Sequence, residues 1–251
     1  MSDLVLIEDS DGVRLLTFNR PDKLNAFNSA LYRAAGDALI DASERDDVKC
    51  VVMTGAGRAF SAGQDLEEMA GINTAEEGAE MAHGFPHFLD NAATFSKPLL
   101  AAVNGVGVGI GMTMLLQCDI VLIADTARLR APFVPLGVVP EAGSSVLMPA
   151  IMGNQRAAVA FYTGDWLSAD DAVAANLALR AVPADQVVEQ TMAIARQIAA
   201  LPLTSLVETK GLVLAGRLDA FRAARAREDV LFQRLMTEAA NKTALAEFLG
   251  Q

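Results

Sequence analysis

The chain has 251 residues, of which 20 are Lys or Arg and 31 are Asp or Glu, so its formal net charge is −11 at pH 7. With 52% hydrophobic and 20% charged residues it can bury a large core and is not a disordered polymer. The acidic balance argues against nucleic acid and anionic membranes as partners, since both need clustered positive charge.

Length alone suggests one domain or one and a half. No run approaches the ~18 apolar residues that span a bilayer. The opening MSDLVLIEDSDG is acidic and lacks the apolar stretch of a signal peptide. Cys50 and Cys118 are too few and too far apart for a disulfide framework. A reducing cytoplasm is the expected compartment.

In chain order, Leu4 to Ile7 and Val13 to Phe18 read as strands joined by the hairpin signal Ser10-Asp11-Gly12. Asn28 to Arg45 reads as a helix, opened by a good capping residue and carrying Leu31, Ala34, Ala35, Ala38 and Leu39 on one face. Val48 to Thr54 is a buried strand ending at Gly55-Ala56-Gly57. A helix from Glu76 to Phe95, with a break expected around Pro86, leads to a strand from Leu99 to Val103. Met112 to Gln117 is a short helix running into the strand Asp119 to Ala124. Strands separated by helix-length crossovers imply a largely parallel sheet covered on its faces.

Beyond Gly137 the strand signal almost disappears. Ser144 to Met152, Gln155 to Thr163, Ser168 to Ala175, Ala184 to Ala199, Thr204 to Ala215 and Leu218 to Ala240 all read as helices. Ser144, Ser168 and Thr204 are the expected caps. An α/β front and a helical back predict one core with a C-terminal helical extension, divided at about 195/196.

Two segments could carry chemistry. In Asn104-Gly105-Val106-Gly107-Val108-Gly109-Ile110-Gly111, alternate glycines let backbone pass close to a neighbour, and the following helix start offers unpaired N–H groups to an anion or a developing oxyanion. Close packing of a strand-loop-helix explains the glycines equally well. The spacing is neither a dinucleotide fingerprint nor a P-loop. Ala59-Phe60-Ser61-Ala62-Gly63-Gln64-Asp65-Leu66 is a second small-residue turn, unremarkable by itself.

Together these segments resemble the crotonase superfamily, the enoyl-CoA hydratase/isomerase family. Phe60 to Asp65 is followed by Ala102-Val103-Asn104-Gly105 and by Gly109-Ile110-Gly111 through Cys118-Asp119-Ile120. Leu16 to Pro21 with Asn25-Ala26-Phe27, Leu136 to Pro140, Thr163-Gly164, and Ser168-Ala169 with Ala172 are also similar, so the likeness runs from about Leu4 to Leu249. It implies a crotonase fold of repeated ββα units and an acyl-CoA thioester as substrate, with no separate cofactor. It also implies a homotrimer or a dimer of trimers. The backbone N–H groups of Gln64 and Ile110 would then form an oxyanion hole, with Lys23, Ala26, Ala62, Gly63, Asp65, Leu66, Gly109 and Phe133 about the substrate. Arg20 and Arg58 would lie near the CoA mouth. Family members often end in a basic tail, whereas this sequence ends Phe248-Leu249-Gly250-Gln251, so tail contacts to CoA are not expected.

Hydratases of the family use two glutamates, and the corresponding positions here hold Thr113 and Phe133. No Asp or Glu lies between Thr126 and Pro140. Glu141, in Val139-Pro140-Glu141-Ala142-Gly143-Ser144-Ser145, instead matches the single glutamate of the Δ3,Δ2-enoyl-CoA isomerase branch. One carboxylate suffices to move a proton from C2 to C4 of a 3-enoyl-CoA. Phe133, Val134, Leu136 and Val138 would raise its proton affinity. The ordinary alternative for Glu141 is an acid favoured by a helix N-terminus. Hydration, other enolate chemistry, or a silent acyl-CoA-binding protein are the competing functions. His83 and His87 have HxxxH spacing, but Gly84 and Pro86 are expected to break the helix that would align them. Asp65 is expected to order its turn. The acyl pocket is expected to be lined by the helix around Met69 to Phe95, whose sequence does not reveal chain length.

Overall fold

The computed structural model describes residues 3–70 and 75–249, and the side chains of 3–68 and 84–247. The chain opens with the antiparallel hairpin β1 (Val5–Ser10) and β2 (Val13–Phe18), turned through Asp11 and Gly12 at positive φ. Helix α1 (Ser29–Glu44) begins where the Asn28 side chain accepts the Leu31 N–H, and it leads to β3 (Cys50–Gly55). Next come β4 (Ala59–Ser61), α2 (Leu66–Ala70) and α3 (Ala75–Ala93). Strands β5 (Leu99–Val103) and β6 (Val106–Val108) precede α4 (Ile110–Thr113), which continues as a 3-10 turn over Met114–Gln117. Strands β7 (Ile120–Ala124) and β8 (Arg128–Arg130) are followed by α5 (Ser144–Met152) and α6 (Asn154–Thr163). Then come β9 (Leu167–Ser168), α7 (Ala169–Ala174), β10 (Arg180–Val182) and α8 (Val187–Ala199). The chain closes with α9 (Leu203–Ala215), α10 (Leu218–Met236) and α11 (Ala239–Leu249).

The large sheet has the order β1-β2-β3-β5-β7-β10, parallel from β2 onward. Every residue of β3 and β5 is buried, as a sheet covered on both faces requires. Helix α8 packs on β2, β3, β5 and β7, while α1 lies against α3. A second sheet, β4-β6-β8-β9, was not expected. Its strands have two or three residues each, too short for alternation to register in sequence. The units β3-β4-helix, β5-β6-helix and β7-β8-helix thus repeat. The first strand of each joins the large sheet and the second joins the small one. Because β4, β6 and β8 are parallel neighbours, the segments leaving their carboxyl ends emerge side by side.

Several expectations need correction. Helix α3 runs through Pro86 without a break, since proline removes a single i−4 bond and packing against α1 supplies the rest. Strands do not end at Gly137: β9 and β10 are edge strands of two and three residues, too short for alternation to register in sequence. The single helix expected over Leu218 to Ala240 is two, parted after Met236. The helix expected over Ala184 to Ala199 opens as a 3-10 turn over Ala184–Gln186. Ser168 caps α7 in a reciprocal capping box with Asp171, but α5 and α9 start after Gly143 and Pro202, so neither Ser144 nor Thr204 is a cap. Among the described residues no single helix is long and apolar enough to cross a membrane.

Candidate active site

The segment after β4 is clamped to the entry of α1. Phe27 donates its N–H to the Gly63 carbonyl (2.7 Å) and accepts the Asp65 N–H (2.8 Å). In such a parallel bridge the intervening residue, Gln64, turns its own N–H away from Phe27. Gly63 has φ +95°, and a Cβ there would lie 2.6 Å from the Val108 carbonyl oxygen. The missing side chain therefore lets the turn after β4 touch the turn after β6. Gly109 (φ 54°, ψ −121°) bends the chain into α4, leaving Ile110 as first helical residue with no intrahelical acceptor for its N–H.

A cavity of about 420 Å³ opens beside these turns. Ala62, Gly63, Gln64 and Leu66 form one side, and Val108, Gly109 and Ile110 adjoin it. Phe133, Leu136, Val138 and Glu141, from the connection after β8, face in with Tyr32, Phe85 and the α10 residues Arg225, Asp229 and Phe232. The three chain segments singled out in the sequence thus meet at one cavity. Val134 does not join them: it is 47% exposed and absent from the wall.

Glu141 lies in a tight loop whose next residues, Ala142 (φ 61°) and Gly143 (φ 71°), are both left-handed. Thr113 Oγ1 stands 2.7 Å from Glu141 Oε1 and 3.2 Å from the Gly109 carbonyl. Burial pushes the Glu141 carboxyl up to about 7 against the opposing pull of the Thr113 hydroxyl; Glu228 and Asp229 add to the rise and Arg225 resists it. A hydroxyl has one proton and two lone pairs. Thr113 can therefore donate to the ionised carboxylate, or accept from the acid while donating to Gly109. The Thr113 hydroxyl can thus partner Glu141 Oε1 in either protonation state.

Tyr32, fully buried on α1, donates its hydroxyl to Gln64 Oε1 at 2.9 Å. Burial, with Glu141 and Glu68 nearby, pushes its phenol well above the ordinary range. The helix N-terminus behind Glu141 is occupied by another carboxylate: Glu228 of α10 accepts the Gly143 and Ser145 N–H groups at 2.7 and 2.9 Å. The ordinary alternative for Glu141, an acid resting on that terminus, is thus a position filled by Glu228.

Some expected residues lie outside the wall. Asp65 is buried (7% exposed), paired with Arg20 at 2.9 Å, and its other oxygen accepts the Glu67 and Glu68 N–H groups, so it orders the start of α2. Lys23 pairs with Glu67 at 2.6 Å, and the Ala26 carbonyl accepts from Arg20. Arg58 is exposed. His87 lies 2.8 Å from Asp37, the His83 side chain falls outside the described residues, and among the described residues no three potential metal ligands cluster. Tyr32, Arg225, Glu228 and Asp229 were not anticipated. A signal for two of them exists in α10, where Phe221, Ala224, Arg225 and Glu228 follow one buried helical stripe that an exposed-surface reading of charges overlooks.

Successive ββα units, two sheets of which the smaller frames a cavity, and a C-terminal helical layer define the crotonase fold class. The enoyl-CoA hydratase/isomerase family model matches residues 8–251. A crystal structure of an enoyl-CoA hydratase/isomerase from Pseudoalteromonas atlantica T6c superposes with a TM-score of 0.92 at 33% identity, covering 99% of this chain and 97% of that one. The 1,2-epoxyphenylacetyl-CoA isomerase of Escherichia coli K12 is 32% identical over 209 residues, 82% of this chain and 80% of its own. The 2,3-dehydroadipyl-CoA hydratase of the same organism is 31% identical over 249 residues, 99% and 96% of the two chains. The chain belongs to the enoyl-CoA hydratase/isomerase family, whose enzymes work on acyl-CoA thioesters through enolates.

Proposed function

We propose that the chain forms a thioester enolate with Glu141 as base, held by the Gln64 and Ile110 amides, and uses it to isomerise 3-enoyl-CoA to 2-enoyl-CoA. The observation that carries this reading is the cavity-facing carboxyl of Glu141, poised at about 7 and partnered by the Thr113 hydroxyl, while the other described carboxylate on the wall, Asp229, is held by Arg225. Near neutral pH such a group takes and returns a proton with similar ease. It removes a proton from C2, the electron pair spreads over the thioester oxygen and C4, and the same proton returns to C4 as the double bond moves to C2–C3. No water is consumed. Two preorganised backbone donors at the developing oxyanion are each worth about 2.7–4 kcal/mol of barrier. Ala62, Gly63, Leu66, Gly109 and Phe133 would contact the substrate, with Lys23, Ala26 and Asp65 bordering the CoA entrance.

Hydration is the second reading, and the enolate step is common to both. It is favoured by the likeness to a hydratase along nearly the whole chain and by Asp229, a second carboxylate on the cavity wall. Asp229 is held by Arg225 at 3.3 Å and 42% of its side chain is exposed. Incubation with a 3-enoyl-CoA and with a 2-enoyl-CoA in ¹⁸O-water separates the readings. A conjugated product without label, lost in Glu141→Gln, supports isomerisation. Labelled 3-hydroxyacyl-CoA, lost in Asp229→Asn, replaces it with hydration. CoA-thioester binding without either product would make the protein a binder.

A trimer or dimer of trimers remains part of the proposal. Exposed Leu212 (78%), Val213 (57%) and Val230 (67%) on α9 and α10 are surfaces that association would bury. Sedimentation velocity giving a monomer would refute it.

A further inference from the structure

We infer that Glu228 is a positioning residue for Glu141, its buried carboxylate gripping the Gly143 and Ser145 amides of the loop that follows Glu141 and so fixing where the base points. The inference rests on the reading of Glu141 as the base. Glu228 is 4% exposed, yet it lies 87 residues along the chain from Glu141, on a helix whose neighbouring residues Arg225 and Asp229 line the cavity. Both its oxygens are spent on one loop: Oε2 takes Gly143 N–H at 2.7 Å and Oε1 takes Ser145 N–H at 2.9 Å. The intervening Ser144 directs its N–H (3.0 Å) and its hydroxyl (2.5 Å) to the Glu141 carbonyl. Backbone groups from 141 to 145 are thereby tied to each other and to α10.

The loop needs such a tie. Ala142 at φ 61° is a left-handed non-glycine residue, buried and strained, and it follows Glu141 directly. A Cβ on Gly143 would lie 2.3 Å from Phe221 Cδ2, so α10 approaches the loop as closely as its backbone allows. A buried carboxylate meeting the first turn of α5 gains from two charge-assisted hydrogen bonds and from the helix dipole, which offsets its desolvation. Its charge also acts on Glu141. The groups facing Glu141 are Tyr32 from α1, Thr113 from α4, and Arg225, Glu228 and Asp229 from α10; Glu228 and Asp229 favour the protonated acid, whereas Arg225 and the Thr113 hydroxyl favour the carboxylate. Position and proton affinity therefore change separately with the two properties of Glu228, reach and charge.

Two variants separate them. Glu228→Asp keeps the charge and loses the reach to both amides. Its kcat should fall about 10- to 100-fold with KM within about threefold, as displacement of a base by an ångström would cause, and its pH profile should keep the wild-type acid limb. Glu228→Gln keeps the size, loses the charge and presents an NH2 group to one of the two donors. Its kcat should fall similarly, and the acid limb should move down by about 0.5–1 unit. Infrared difference spectroscopy of the Glu141 carboxyl, assigned with Glu141→Gln, reads the same shift without turnover. Should Glu228→Gln lose the native circular dichroism, Glu228→Asp carries the test. Wild-type kcat in a folded Glu228→Asp, or an unmoved carboxyl titration in a folded Glu228→Gln, overturns the inference. If Glu141→Gln retains turnover, the reading of Glu141 fails first. If that variant is dead and the Glu228 variants are as active as wild type, only the positioning role falls.

Discussion

Thr113→Val tests how the fold tunes Glu141, the one cavity carboxylate among the described residues that lacks a cationic partner at bonding distance. The substitution keeps the shape of a fully buried side chain and removes the hydroxyl 2.7 Å from Glu141 Oε1. The Gly109 carbonyl stays satisfied by the N–H groups of Met112 and residue 113, both at 2.9 Å. A hydrogen bond to a charged group contributes about 1.5–3 kcal/mol, or about 1–2 pKa units. Its loss should lift Glu141 from about 7 to roughly 8–9. The lower end is expected, because the protonated acid also loses an acceptor. At pH 7 the ionised fraction then drops about fivefold, or about fiftyfold at the upper end. The assay is kcat/KM against pH from 5 to 10. The acid limb should move up by about a unit while the alkaline plateau holds or rises, since a stronger base abstracts faster once ionised. A limb that stays in place, or moves down, would refute the assignment of that limb to Glu141 and of Thr113 as its donor.

Three other outcomes follow from the same geometry. Glu141 is raised from 4.5 to about 7 in the fold, so between those values the folded state holds a proton that the unfolded chain has lost, and stability falls as pH rises through that window by up to about 3 kcal/mol; Glu141→Gln should melt with wild type near pH 4 and above it at pH 8, and parallel melting curves would contradict the raised affinity. Gly63→Ala forces a Cβ to 2.6 Å from the Val108 oxygen at φ +95° and should cost about 2–5 kcal/mol in urea denaturation together with most turnover. Lys210→Met strips the cation, 5% exposed, from Asp119, which also accepts the Leu99 N–H; with Asp119 itself partly exposed the loss should be about 2–3 kcal/mol, and a change under 0.5 would mean that the pair contributes little.

Much of this arrangement is legible in local sequence. The hairpin at Asp11-Gly12, the Asn28 cap and the apolar runs of the buried strands β3 and β5 each announce themselves within a dozen residues. The glycines mark only that a close backbone approach occurs; that Gly63 meets Val108 is visible in the structure, and the pairing of Gln64 with Ile110 is expected from the family resemblance rather than from local sequence. The small sheet escapes notice since no strand in it exceeds three residues, and its order depends on pairings such as Ser61 with Gly107 and Val108 with Arg130 that lie far apart in the chain. The break between α10 and α11 is hidden for a different reason: the residues around Thr237 carry neither glycine nor proline.

The electrostatic half of the site is long-range in the same sense. Which carboxylate is raised depends on burial, and which residue occupies the start of α5 depends on α10, more than 80 residues later. Sequence proximity assigns that helix terminus to Glu141, only three residues before Ser144. Packing gives it to Glu228, and this exchange matters chemically. A carboxylate seated on the helix dipole would be stabilised as an anion and would make a weak base. With Glu228 seated there, Glu141 is left with the Thr113 hydroxyl as its hydrogen-bond partner, and burial pushes its carboxyl up to about 7. Two glutamates of similar intrinsic acidity are thus set apart by packing: Glu228 spends both oxygens on backbone amides, and Glu141 keeps the raised proton affinity that the proposed proton transfer needs.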